Sequence, residues 1–197
     1  ALYARMSQAI ALMPALNGFG TISGQGTSSA VDTATETFIA SGLSKVLKIN
    51  NICDNEHFED CGIVSSYTDM SGTQKMIPTT LYELNGWFSL VSMTDSSYST
   101  FDTKSVAFET QNGESIVAYY NQTCRTEFLN EETPASDGAI YGFPEATMCV
   151  NFIYDLNGSK GPNTFGKDIG FVTVFNSMDS EVVAPMPSKA GDAGGAS

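Results

Sequence analysis

The stretch KSVAFETQNGESIVAYYN, residues 104–121, decides the fold predicted for this chain. Two runs rich in β-branched and aromatic residues, 104–110 and 115–121, flank a polar turn that contains Asn112-Gly113. Such a pair between two runs of this kind is a strong hairpin signal, because Asn and Gly tolerate the positive φ angles that tight hairpin turns require. The sequence therefore predicts two antiparallel neighbouring strands.

Three more segments have the composition of strands: 87–93, 148–155 and 170–175. They are short, rich in Val, Phe, Ile and Tyr, and separated by turn-forming residues. In the hairpin we expect apolar side chains to alternate with polar ones, as in a sheet with one buried face. The expected buried positions are Val106, Phe108, Ile116, Ala118 and Tyr120.

Residues 1–17 predict an amphipathic helix, because four apolar residues recur at helical spacing: Leu2, Met6, Ile10 and Met13. These four side chains would form one apolar side of the helix. Pro14 or Asn17-Gly18 would end the helix. It has no N-cap residue before Ala1, which predicts the end of a longer helix whose preceding part was removed; a fraying terminal helix is the alternative.

A second helix is predicted within residues 31–50, after an uncharged Gly- and Ser-rich linker or surface loop at 18–30. Thr33 and Glu36 have the spacing of a capping box, and Lys45 and Lys48 would lie in the last turns, where the helix dipole favours cations. The predicted fold class is α+β, with the N-terminal helix packed on an antiparallel sheet and loops tied by disulfides. The predicted parts are the helix at 1–17, a globular head at 18–183 and a flexible Gly- and Ala-rich tail at 184–197.

The charge balance excludes one large class of partner. With 9 Lys and Arg against 22 Asp and Glu, the formal net charge is −13. Such a chain is repelled by phosphate backbones and by anionic membrane surfaces, so nucleic acid is not expected as a partner. The sequence also contains no apolar run near the ~20 residues of a membrane-spanning helix.

Four cysteines are present: Cys53, Cys61, Cys124 and Cys149. No CxxC pair or histidine at ligand spacing accompanies them, which argues against zinc and favours disulfides. We predict the pairs Cys53–Cys61 and Cys124–Cys149, although counting alone does not separate the three connectivities, and four buried thiols are the alternative. Disulfides would indicate an oxidising compartment.

The sequence predicts a protein that is not an enzyme. It lacks the nucleophile elbow GxSxG, the phosphate-binding loop and the zinc motif HExxH. Its only histidine, His57, lies among Glu56, Glu59 and Asp60. These carboxylates are expected to raise the pKa of His57 and keep it protonated, which is the wrong state for a general base.

The segment DLNGSKGPNTFGKD, residues 155–168, is the main candidate site. Asp155, Asn157 and Asp168 supply oxygen atoms of the kind that calcium prefers. The segment departs from an EF-hand loop, because a Gly at the sixth position and an acid at the twelfth are missing. The competing interpretation is an ordered turn, in which the glycines supply positive φ angles and the acidic side chains accept hydrogen bonds from backbone amides.

The pattern DxNGxKGPNxxGxD of residues 155–168, followed by an apolar strand, resembles a stretch near the end of bacterial type IV pilin-like proteins, a group that includes pilins and type II secretion pseudopilins. The opening ALYARMSQAIAL is similar to the segment that follows their hydrophobic N-terminal helix. The chain lacks the hallmark of that family, an apolar N-terminal helix that begins with Phe and carries an early Glu. We expect that the sequence begins after it, or that this helix is a separate polypeptide or was deleted.

This resemblance implies a structural subunit of an extracellular, pilus-like filament on a bacterial cell surface. The subunit would assemble through its N-terminal helix, with Leu2, Met6, Ile10 and Met13 as the contact with another subunit or with the sheet. Its partners would be copies of itself, a separate hydrophobic pilin segment, or minor pilins. No cofactor is expected other than calcium. The alternative function is a secreted or surface-bound adhesin that binds carbohydrate, or that binds its ligand in a calcium-dependent manner, with Trp87 stacking on sugar.

Overall fold

A computed structural model of the protein provides the fold. It describes residues 2–17, 33–80, 83–84, 104–120, 147–176 and 181–185, and of these it leaves out the side chains of 13–17, 147–149, 175–176 and 181–185. The predicted linker at 18–30, the predicted strand at 87–93 and Trp87 lie outside these residues. In the described part of the chain, no helix is long and apolar enough to cross a membrane.

The described strands form an antiparallel sheet of six strands and a separate hairpin of two. In chain order they are β1 Ile49–Cys53, β2 Ser66–Thr68, β3 Gln74–Met76, β4 Val106–Thr110, β5 Ser115–Tyr120, β6 Thr147–Asp155, β7 Ile169–Asn176 and β8 Glu181–Pro185. The large sheet has the order β1-β4-β5-β6-β7-β8, and β2 pairs with β3. The mixed α+β class with an antiparallel sheet is therefore confirmed.

The predicted hairpin is present and forms the centre of the sheet. β4 and β5 are antiparallel, with Phe108 opposite Ile116 and Val106 opposite Ala118. Gly113 has φ of 82° in the connecting turn. The positive φ explains why the Asn-Gly pair was an informative signal, since most side chains disfavour this conformation.

The expectation of one buried face is wrong, because core side chains lie on both faces of the sheet. All six residues of β5 are buried. One core contains alternate residues of the central strands together with residues of the helical segments, such as Phe152 and Phe38. The other contains the intervening residues, such as Ile153, together with Cys61 from the segment between β1 and β2 and Tyr67 of β2.

Two helical segments precede the sheet. Helix α1 spans Leu2–Asn17, so it passes Pro14 and ends at the later of the two predicted stops. Leu2, Met6 and Ile10 are buried and belong to the same core cluster as Phe108 of β4, whereas the side chain of Met13 is outside the description.

The second helical segment is shorter and less regular than predicted. Helix α2 spans Ala34–Thr37 and continues as a π-helical turn, Phe38–Gly42, and a 3₁₀ turn, Leu43–Lys45. The predicted capping box is wrong, because the side chain of Thr33 makes no capping hydrogen bond. Lys48 lies beyond the last turn. The segment is held by tertiary contacts instead: Thr35 Oγ1 accepts a hydrogen bond from the Tyr120 amide at 3.2 Å, and the Phe38 ring stacks on Tyr120.

Four of the strands were not predicted: β1, β2, β3 and β8. Most are polar or only three residues long, so their composition does not mark them as strands. β8 also includes residues 184 and 185 of the predicted tail and pairs with β7.

Candidate cation site

The candidate site is the loop of residues 155–168, which joins β6 to β7. Its glycines Gly158, Gly161 and Gly166 all have positive φ, at 59°, 61° and 81°. The Gly161-Pro162 peptide bond is cis. The predicted role of the three glycines is confirmed, and the loop is an ordered turn that returns Asp168 to the end of β6.

Asp168 organises the second half of this loop. Its Oδ2 accepts a hydrogen bond from the Asn163 amide at 2.7 Å, and its Oδ1 accepts one from the Thr164 amide at 2.8 Å. Its backbone carbonyl accepts a hydrogen bond from the Leu156 amide at 3.0 Å. The side chain is only 6% exposed. The predicted capping of loop amides by acidic side chains is thus confirmed.

Asp155 is completely buried at the end of β6 and has an unsatisfied oxygen. Its Oδ1 accepts a hydrogen bond from the Asn157 amide at 2.9 Å, while Oδ2 has no hydrogen-bond partner among the described residues. Burial raises the pKa of Asp155 to about 6; the Asn157 amide opposes this shift and the negative charge of Asp168 adds to it. A buried carboxylate oxygen without a partner is energetically unfavourable, so a ligand at this point would stabilise the fold.

Two further buried oxygen atoms without a hydrogen-bond partner lie in the same region: the hydroxyl of Tyr67 and Oδ1 of Asn163. Burial raises the pKa of Tyr67, and the negative charges of Asp155 and Asp168 raise it further, which places these three groups near one another. Asn163 is next to Asp168 through its amide hydrogen bond. Two of the three unsatisfied oxygens therefore belong to this loop, and the third comes from Tyr67 of β2.

The arrangement suits a hard cation that prefers oxygen ligands. Two buried carboxylates and neutral oxygens match the ligand chemistry of calcium, which accepts irregular geometry and backbone as well as side-chain oxygens. The loop's own lysines, Lys160 and Lys167, are exposed, and neither forms an ion pair with Asp155 or Asp168 among the described residues. Within that part of the chain no group of three or more His, Cys, Asp or Glu side chains is placed to hold a metal ion, so a cation at this loop would depend on two carboxylates and on neutral oxygens.

The sequence located part of this site. Asp155 and Asp168 are brought together as expected, whereas the side-chain amide of Asn157 points its nitrogen toward Asp168 Oδ2 and Gly161 O, at 3.5 Å in each case. Tyr67 and Asn163 were missed. Spacing could not have indicated Tyr67, because the hairpin β2–β3 meets this loop only through tertiary contacts such as the bridge between Thr68 and Thr164.

The predicted disulfide between Cys53 and Cys61 is confirmed, with 6.0 Å between the Cα atoms. Cys61 is fully buried and Cys53 is 6% exposed. The predicted pair Cys124–Cys149 is outside the description, because Cys124 and the side chain of Cys149 are not among the described groups.

His57 lies on the exposed loop closed by this disulfide. Its Nδ1 is 2.7 Å from Asp54 Oδ1. The hydrogen bond with Asp54 has the largest effect and raises the pKa of His57. The negative charge of Asp54 raises this pKa further, and the charges of Asp60 and Glu59 raise it by smaller amounts. The predicted direction is confirmed, but the main partner is Asp54, which the sequence analysis did not name.

The proton affinity of His57 should therefore depend mainly on Asp54. Replacing Asp54→Asn is expected to lower the measured pKa of His57 toward 6.5, while Glu59→Gln should change it much less. A pH titration of the ring protons by NMR tests this directly, since the chain has one histidine. Equal effects of the two substitutions would contradict the assignment of Asp54 as the principal partner.

Comparison of the chain with protein-family models, with curated proteins and with solved structures gave no significant match. The pilin-like resemblance therefore stays a prediction from the residues of two segments.

Proposed function

We propose that this chain is a structural subunit of an extracellular, pilus-like filament and that it contacts copies of itself through helix α1. The observation that carries the proposal is the exposed face of this helix, which has no charged residue. Among the described side chains of the helix, the exposed ones are Tyr3, Ala4, Gln8, Ala11 and Leu12. Leu12 is 54% exposed and Tyr3 is 46% exposed.

An uncharged face is significant on a molecule with a net charge of −13. Copies of such a chain repel one another, so a contact surface without acidic groups favours self-association. Arg5 is the only charged residue among positions 1–17, and it forms an ion pair with Glu114 of the central hairpin. The part of this face formed by Ala4, Ala11 and Leu12 is therefore suited to packing against an equivalent apolar surface.

The burial of Leu2, Met6 and Ile10 divides the roles of the helix between its two faces. These side chains are 6%, 2% and 1% exposed, so they have almost no surface left for another subunit. We propose that they pack α1 against the sheet, while the face that includes Ala4, Ala11 and Leu12 makes the contact between subunits. The extracellular location is supported by the Cys53–Cys61 disulfide, since such bonds persist in oxidising compartments.

A charge introduced on the exposed face of α1 tests whether this face makes the contact between subunits. Leu12→Glu is expected to weaken self-association at least tenfold, because the contact would bury an unpaired carboxylate. Sedimentation velocity over a concentration series, with negative-stain microscopy of the same samples, measures the effect. The native protein with its natural N-terminal sequence is the reference.

Met76→Glu is the matched control, because Met76 is also apolar and is 66% exposed, but lies on β3. It should assemble like the wild type. A wild-type protein that stays monomeric at all concentrations would contradict the filament proposal. Equal loss of assembly in both variants would contradict the choice of face.

We also propose that the loop of residues 155–168 binds calcium, with Asp155, Asp168 and the oxygen of Asn163 as ligands. The site supports a second candidate function, a calcium-dependent binding module at the cell surface. The unsatisfied Oδ2 of Asp155 is the observation that favours it. Glycan binding that appears only with calcium, in a protein that never assembles, would favour this function over the filament.

A further inference from the structure

The segment that follows the disulfide lies against the candidate cation loop at Gly62. Gly62 follows Cys61 and has φ of 77°. A side-chain carbon added at Gly62 would lie 2.6 Å from Ser115 Oγ and 3.8 Å from the Cα of Gly158. A side chain at Gly62 would therefore have to displace the Ser115 hydroxyl, and the backbone at Gly62 lies against both groups.

Ser115 is the centre of this contact. It is 2% exposed and pairs with Asp155 across β5 and β6. A side-chain carbon added at Gly158 would also come within 3.1 Å of Ser115 Oγ and 3.7 Å of the Gly62 carbonyl oxygen. Gly62, Ser115 and Gly158 therefore form a close-packed joint, which we call the glycine joint, directly beside Asp155.

The same two loops share a hydrophobic core. Phe58 and Cys61 of the disulfide loop are buried in one cluster with Tyr67 and Phe165. Tyr67 carries one of the unsatisfied oxygens of the candidate cation site, and Phe165 packs edge-on against its ring. The disulfide loop thus reaches the site at two places, through the glycine joint and through Tyr67.

We propose that the Cys53–Cys61 disulfide preorganises the calcium site by holding the disulfide loop against the glycine joint. This inference rests on the calcium site proposed above. The disulfide restrains the segment that ends at Gly62, and the joint transmits this restraint to the turn after Asp155. A preorganised site binds its ion more tightly, because fewer conformations are lost on binding. By thermodynamic linkage, bound calcium should equally stabilise the disulfide-closed loop.

Two glycines give a matched test. Gly62→Ala introduces a methyl group into the joint, whereas Gly72→Ala introduces one at a similar φ of 87° with no atom within 4 Å. Both substitutions carry the strain of a positive φ, so only the contact differs. In calorimetric titration with calcium chloride, Gly62→Ala should bind about tenfold more weakly than the wild type, in the range found for residues that support metal ligands. Gly72→Ala should bind like the wild type.

Removing the disulfide provides the second variant. Cys53→Ala/Cys61→Ala should also lose about tenfold in calcium affinity. NMR spectra without calcium add an independent measurement: Gly62→Ala should shift the amide signals of Asn157, Asn163 and Thr164, which donate to Asp155 and Asp168. Because Gly62→Ala keeps both cysteines, this measurement tests the proposal even if the double cysteine variant folds poorly.

The outcomes separate the two proposals. No calcium binding by the wild type would overturn the calcium site and with it the proposed preorganisation. Wild-type binding with equal affinity in Gly62→Ala, Gly72→Ala and the disulfide variant would leave the calcium site in place and overturn the role of the disulfide. Weakened binding in Gly62→Ala and the disulfide variant alone, with shifted loop amides, supports the proposal.

Discussion

Calcium is expected to raise the melting temperature of the wild-type protein and to have little effect on that of Asp155→Asn. A ligand that binds only the folded state at 100 times its Kd contributes about 2.7 kcal/mol, which corresponds to about 5–10 °C for a domain of this size. Asp155→Asn removes the charge that would attract the ion while preserving the shape of the side chain. Thermal melts with calcium or with a chelator measure the difference.

Without calcium, Asp155→Asn should stabilise the protein and not weaken it. The pKa of Asp155 is raised to about 6 in the folded protein, so the charged form is disfavoured there at neutral pH. Asp155→Asn removes this penalty and should raise the melting temperature by about 2–4 °C, the shift expected from about 1 kcal/mol. Asp60→Asn is the control, because it removes the same charge from an exposed position.

Equal calcium-dependent shifts in the melting temperatures of the wild type and Asp155→Asn would exclude Asp155 as a ligand.

The pH dependence follows with a definite sign. An acid with a raised pKa destabilises the folded state above its folded pKa, and this penalty disappears as the pH falls toward its unfolded pKa of about 4. As the pH falls from about 7 to about 4, the contribution of Asp155 to the free energy of unfolding of the calcium-free protein should therefore become less unfavourable. Calcium binding should weaken over the same interval, because protonation removes the charge of Asp155.

The second large effect concerns the sheet. Phe152→Ala should lower the free energy of unfolding by about 3–5 kcal/mol, and Ile153→Ala by about 2–5 kcal/mol. The two residues are adjacent in β6, and their side chains lie in different core clusters on opposite faces. Each is at most 1% exposed, so each substitution leaves a cavity.

Urea denaturation of the two variants tests whether both faces are covered. If the sheet had one solvated face, one of these neighbouring substitutions would be nearly neutral, as surface changes usually are. Met76→Ala provides that reference, since Met76 is mostly exposed and should cost about 0.5 kcal/mol or less. A cost below about 1 kcal/mol for either core residue would contradict the two-sided core.

The sequence predicted the turn of the candidate site better than it predicted the residues that would bind the cation. Glycine spacing indicated the positive φ angles of Gly158, Gly161 and Gly166, because few other residues adopt them. The closeness of Asp155 and Asp168 followed from the same turn. Tyr67 was not foreseen, since it reaches the loop through the bridge between Thr68 and Thr164, and such pairing depends on the whole fold.

By itself, the sequence determined the local features of this protein. The Asn112-Gly113 turn fixed the central hairpin, the helical spacing of Leu2, Met6 and Ile10 fixed α1, and the short separation of Cys53 and Cys61 favoured their bond. These features depend on backbone conformation or on neighbours in sequence. Only the tertiary structure decided what depends on distant segments: the covering of the sheet on both faces, the unsatisfied Oδ2 of buried Asp155, and the contact of the disulfide loop with the cation loop. The physical reason is that burial and desolvation are set by packing between segments far apart in the chain, which no local pattern records.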